Sequence, residues 1–118
     1  MGKLIVIVED DASILDILRL ILTRAGYEVD HFQDGNHFVA GAAPLADLYL
    51  IDRQLSGIDG LDICRFLKSK PESQSIPIIV LSATPGIQNL VQQAGADDFI
   101  EKPFSKKHLL AKIQQLLQ

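Results

Sequence analysis

Leu48-Tyr49-Leu50-Ile51-Asp52 is an apolar run of strand length that stops on a single carboxylate. Near-continuous apolar runs of this kind belong to strands of a parallel sheet covered on both faces. Three other runs have the same form. Leu4-Ile5-Val6-Ile7-Val8 stops on Glu9-Asp10-Asp11, Ile76 to Leu81 stops on Ser82-Ala83-Thr84, and Phe99-Ile100 stops on Glu101-Lys102-Pro103. In a parallel sheet the four ends meet at one edge, where open α/β sheets bind their ligands. Acids, a hydroxyl and an ammonium would then share one small site, with Asp52 its leading candidate.

Between these runs the period changes to that of helices. Ile14, Ile17, Leu18 and Ile21 recur at helical spacing and are expected to form the buried face of a first helix that stops near Gly26. Tyr27 to Phe32 is β-rich but interleaved with Glu28, Asp30 and His31, as an edge strand tolerates. Asp34-Gly35 marks a turn, and Asn36 to Ala43 reads as a short helix of poor propensity, with Gly41 inside it and Pro44 after it. Leu61, Cys64 and Leu67 open a helix that ends before Pro71; Leu90, Val91 and Ala94 mark another, closed by Gly95. Leu109, Leu110, Ile113, Leu116 and Leu117 make the last. Strand and helix alternate five times, so the expected fold is α/β: a doubly wound, five-stranded parallel sheet of order 2-1-3-4-5, flavodoxin-like, with the mixed second strand at an edge.

Length and composition set outer bounds. With 118 residues, 47% of them hydrophobic, the chain suffices for one core and not for two, so a single domain over residues 1–118 is expected. A net charge of -4 with dispersed Lys and Arg argues against direct nucleic-acid binding. The apolar runs are too short to span a bilayer and no charged leader opens the sequence, so a cytoplasmic place without membrane contact is expected. Cys64 is the only cysteine and, within a helical run, reads as a small buried hydrophobe. The three histidines, His31, His37 and His108, are scattered and read neither as phosphodonors nor as ligands.

Glu9, Asp10 and Asp52 at neighbouring strand ends are a cluster that wants a cation. Two unit charges ~4 Å apart near a protein surface repel by roughly 4 kcal/mol. A hard divalent ion with oxygen ligands suits them, and Mg²⁺ is commonly held by one or two carboxylates, waters and a substrate phosphate. A carboxylate can also attack phosphorus and form an aspartyl phosphate when charge on the transferring oxygens is neutralised. Lys102 supplies a compact positive charge and Ser82 a hydroxyl donor. Each residue alone has a plainer reading: Asp11 or Ser13 as a helix N-cap, Ser82 as a turn hydroxyl, Lys102 as a solvated surface group. The joint pattern is what points to phosphoryl chemistry.

In these residues the sequence closely resembles the receiver domain of bacterial two-component response regulators, from Lys3 to Leu117. The family's acidic pair falls on Glu9 and Asp10, its phosphoacceptor on Asp52, its switch hydroxyl on Ser82 followed by the small Ala83, and its lysine on Lys102. Asp59-Gly60, Gly95-Ala96-Asp97-Asp98 and Lys102-Pro103-Phe104 resemble further family signatures. The resemblance implies Mg²⁺-dependent transfer of a phosphoryl group to Asp52 from a sensor histidine kinase or a histidine phosphotransfer protein, with Mn²⁺ able to replace Mg²⁺. Asp10 and Asp52 would ligate the metal directly, Glu9 through water, and the Gln54 carbonyl would complete the set. Ser82, Ala83 and Lys102 would hold the phosphoryl group, and Phe99 would be an aromatic switch whose plainer reading is a core strand residue. The peptide before Pro103 is commonly cis in the family. The surface of the fourth helix, fifth strand and fifth helix would then control an output domain or effector protein, or form a homodimer.

Two departures from the family pattern stand out. Ser56 replaces a proline found in many relatives, which removes one rigid residue from the loop after Asp52. The stretch from Ser82 to Lys102 is shorter than usual, with Pro85-Gly86 in the gap, which bears on where the fourth helix starts. Arg53, Gln54 and Thr84 line the route to Asp52 and are candidates for tuning loss of the phosphate. Two further readings compete: a docking module that is never phosphorylated, and a phosphohydrolase with an aspartate nucleophile. The latter wants a second carboxylate two residues after the first, and Gln54 stands there.

Overall fold

In the computed structural model, which describes residues 2–40 and 44–117 and only the backbone of His37 and Val39, the order of elements follows the alternation of apolar runs and helical stripes. It runs β1 (Leu4–Val8), α1 (Ala12–Arg24), β2 (Glu28–Phe32), α2 (Asn36–Val39), β3 (Leu48–Asp52), α3 (Gly60–Lys68), β4 (Ile78–Ser82), α4 (Gln88–Gln93), β5 (Asp98–Glu101) and α5 (Lys106–Leu116). All five strands are parallel, in the order β2-β1-β3-β4-β5. The expected fold class and strand order therefore hold, with the mixed strand β2 at one edge. The expectation for residues 41–43 lies outside the described residues.

Strand alternation divides the core in two, because successive side chains of a strand point to opposite faces. Val6, Val8, Tyr49, Ile51, Ile78 and Val80 face one layer with Phe38, Leu61, Cys64, Leu67 and Val91 of α2, α3 and α4. Ile5, Ile7, Leu48, Leu50, Ile79, Leu81 and Ile100 face the other, against Leu15, Leu18 and Leu22 of α1 and Leu109 and Ile113 of α5. Cys64 lies in the first layer, and burial pushes its thiol up to about 12, in keeping with a structural role.

The buried stripe of α1 differs from the one its spacing suggests. Leu15, Leu18 and Leu22 make it, Ile14 and Ile21 flank it, and Ile17 is 53% exposed. The segment is apolar around much of its girth, so two stripes satisfy the helical period; the sheet selects one of them. Asp11 caps the helix, accepting from Ser13 N and Ile14 N.

Register sets the strand ends side by side. Val8 pairs with Ile51, Asp52 with Leu81, and Ser82 with Glu101. The next residues, Glu9 after Val8 and Lys102 after Glu101, are thus delivered to the edge where Asp52 and Ser82 end their strands. The close approach of α3 to this edge requires Gly60, since a Cβ there would stand 2.2 Å from the Asp52 carbonyl oxygen and 2.8 Å from Arg53 Cα. Its amide donates to the Arg53 carbonyl.

Candidate functional site

Glu9, Asp52 and Ser82 are buried, whereas Asp10 is exposed beside them. One carboxylate oxygen from each of Glu9, Asp10 and Asp52 lies within 4.8 Å of the others, the spacing of a group able to hold a metal ion. The donors are carboxylate oxygens alone, as a hard divalent cation prefers. The residues present therefore fit such an ion.

Lys102 closes the site from the far side of β4. Its Nζ donates to Asp52 Oδ2 at 2.9 Å and to Glu9 Oε1 at 3.3 Å. Burial pulls this ammonium down, but the hydrogen bond and charge of Asp52, with those of Glu9, outweigh it and hold Lys102 above its ordinary value. Burial pushes the Glu9 carboxyl up to about 7; the hydrogen bond and charge of Asp52 add to this and Lys102 opposes it. One ammonium thus serves two close carboxylates, and the site holds more negative charge than its own lysine offsets.

The loops fix the remaining groups. Asp52 Oδ1 accepts from Gln54 N at 3.1 Å, which turns the second oxygen of the carboxylate toward Lys102. Ser82 Oγ accepts from Thr84 N at 3.0 Å, and the Lys102 amide donates to the Ser82 carbonyl at 2.8 Å. Ala83 is exposed at the rim. The Lys102–Pro103 peptide is cis, as the sequence resemblance implied. A cleft lined by Asp10, Arg53, Gln54, Leu55, Ser56 and Thr84 opens above the acids. Arg53 Nε lies 3.9 Å from the Asp59 carboxylate at its rim.

Glu9, Asp10, Asp52, Ser82, Ala83 and Lys102, singled out by the strand ends, and Gln54, implied by the resemblance, are thus at this one edge. Phe99 stands apart from them on β5. It is half-buried, packs against the layer containing α3 and α4, and also lines a groove with Phe104, His108 and Lys112. Sequence reading missed the contact that Ser56 makes. Both its amide and its hydroxyl donate to Asp10 Oδ2, each at 3.1 Å. The available signal was a hydroxyl in the loop after Asp52, where many relatives have proline.

Comparison with known proteins agrees with this geometry. The model of the response regulator receiver domain matches residues 5–114. The chain is 37% identical over 117 residues to the transcriptional regulatory protein ResD of Bacillus subtilis, covering 97% of this chain and 48% of that protein. It is 36% identical to the DNA-binding dual master transcriptional regulator RpaA of Synechocystis, again over 97% of this chain and 48% of the relative. The chain thus spans about half the length of these curated relatives. Among solved structures, a response regulator from Chloroflexus aurantiacus superposes with a TM-score of 0.90 at 31% identity, over 99% of this chain and 98% of the other. The receiver domain of the sensor histidine kinase PA1611 from Pseudomonas aeruginosa, with a magnesium ion coordinated in its active-site cleft, superposes with a TM-score of 0.89 at 29% identity, over 99% and 98% of the two chains. With the strand order, the acidic edge and these matches in agreement, the chain belongs to the response regulator receiver domain family.

Proposed function

We propose that residues 1–118 form one receiver domain, a cytoplasmic switch that accepts a phosphoryl group on Asp52 from a phosphohistidine of a kinase or phosphotransfer protein. The observation that carries this reading is the placement of Asp52: buried, with one oxygen held by the Gln54 amide and the other by Lys102, beside two more acids. Asp10 and Asp52 would hold Mg²⁺ directly, Glu9 through water, with the Gln54 carbonyl as the remaining protein ligand; Mn²⁺ would serve in its place. A divalent ion there supplies positive charge against the phosphoryl oxygens.

In the transfer, an Asp52 carboxylate oxygen forms a bond to phosphorus while the bond from phosphorus to the donor imidazole nitrogen breaks. The imidazole keeps the electron pair. Lys102 is already at the oxygen that would react or lie next to the transferred group, so its charge is in place before the phosphoryl arrives, which is how fixed charges lower such barriers. Ser82 then gives up its contact with Thr84 N, and its hydroxyl with the Ala83 amide binds a phosphoryl oxygen. That movement, with inward rotation of the half-buried Phe99, biases the surface of α4, β5 and α5 between two arrangements. This surface would meet an output domain, an effector protein or a second copy of the chain. The family is regulatory; the catalysis proposed here concerns only this aspartate.

The reading is tested with a phosphohistidine donor carrying labelled phosphate. Label should pass to the wild-type chain and not to Asp52→Asn; equal labelling of the variant refutes the assignment.

A further inference from the structure

The three acids of the cluster differ in how firmly they are held. Glu9 and Asp52 are buried and joined by Lys102, so their carboxylates have little freedom. Asp10 is exposed, and the bonds of the Lys102 ammonium go to Glu9 and Asp52. What fixes it is Ser56, 46 residues away, whose amide and hydroxyl both donate to the same oxygen, Oδ2, at 3.1 Å each. A carboxylate has about four lone-pair directions on its two oxygens, so two donors on Oδ2 still leave Oδ1 free. Two bonds to one oxygen, one of them from the backbone, also restrict rotation of the carboxylate about its own axis.

From this we propose that Ser56 is a positioning residue for metal binding: it holds the Asp10 carboxylate in a ligating orientation, with Oδ1 directed to the shared cation position. The inference rests on the reading of Asp10 as a metal ligand. Hydrogen bonds to ligating carboxylates orient them and raise metal affinity, and their loss typically weakens binding by about ten- to a hundredfold for well-buried partners. Ser56 is exposed, and Ser56→Ala keeps the amide donor, so the lower end applies. The prediction is a rise in the Mg²⁺ dissociation constant of about tenfold. Ser56→Thr keeps the hydroxyl and should bind as the wild type does.

The test is calorimetric titration of MgCl₂ into wild type, Ser56→Ala, Ser56→Thr and Asp10→Ala, with thermal unfolding of each in the absence of divalent ions. Weakened binding in Ser56→Ala, restored by Ser56→Thr, with an unchanged metal-free unfolding temperature, supports the positioning role. Mg²⁺ binding in Ser56→Ala that equals or exceeds wild type overturns it, the latter because the hydroxyl would then be competing with the ion. If Asp10→Ala is impaired while Ser56→Ala is not, only the Ser56 inference falls. If Asp10→Ala binds as wild type does, the metal site itself has been misplaced and both fall.

Discussion

Lys102 Nζ donates to Asp52 Oδ2 across 2.9 Å, although β5, which delivers the lysine, and β3, which ends on the aspartate, are not neighbours in the sheet. The bridge passes over the end of β4, where Ser82 is buried. The same ammonium reaches Glu9 from β1, so one side chain joins the ends of three strands. Charge therefore couples elements that the sheet's own hydrogen bonds do not.

Replacing Lys102 by methionine should leave Glu9 and Asp52 facing each other without compensation. Removing one partner of a buried ion pair typically costs about 3 kcal/mol or more, and partial solvent access to Lys102 places the metal-free loss at about 2 kcal/mol at neutral to alkaline pH. The loss should shrink in acid, where Glu9 takes up a proton instead. Urea unfolding of Lys102→Met in EDTA checks this; wild-type stability would mean the acids are solvated and need no counter-charge.

Glu9 should make the metal-free protein less stable as pH rises. Its carboxyl is raised from 4.5 to about 7 in the folded state, first by burial and then by Asp52. Between those values the folded chain keeps a proton that the unfolded chain has released, so stability falls across that window and levels off above it. The effect is on the order of 3 kcal/mol. Unfolding free energies in EDTA, measured at about pH 5 and about pH 8, should differ more for wild type than for Glu9→Gln. The same difference in both proteins would contradict the assignment.

Much of this site was legible because strand ends in a parallel sheet converge. Asp52, Glu9, Asp10, Ser82 and Lys102 each follow an apolar run, so topology alone brings them to one edge. Two features were not legible. The spacing of α1 allows either an Ile14, Ile17, Leu18, Ile21 stripe or a Leu15, Leu18, Leu22 stripe; they share Leu18, and only packing on the sheet distinguishes them. The bond from Ser56 to Asp10 joins loops far apart in sequence, and no periodicity encodes it.

That distinction within α1 has a direct check. Leu18→Ala should cost about 3 kcal/mol, as truncation of a buried leucine does, whereas Ile17→Lys should change stability by less than about 0.5 kcal/mol. Comparable losses from the two, read from urea unfolding midpoints, would place Ile17 in the core.

Gly60→Ala should perturb both stability and the site. The added methyl would meet the Asp52 carbonyl oxygen at 2.2 Å, so the start of α3 must move away from β3. Overpacking against backbone costs about 3 kcal/mol and would shift the aspartate whose carbonyl is displaced. Unfolding and Mg²⁺ titration should both register the change; an alanine variant indistinguishable from wild type in both would mean the approach is looser than described.

The measurement that bears most directly on the phosphoacceptor reading is the intact mass of the protein after incubation with acetyl phosphate, with Mg²⁺ and with EDTA, for wild type and Asp52→Asn. A single phosphoryl adduct should form on the wild type with Mg²⁺, and none in EDTA or on the variant. An adduct of equal yield on Asp52→Asn would contradict the account.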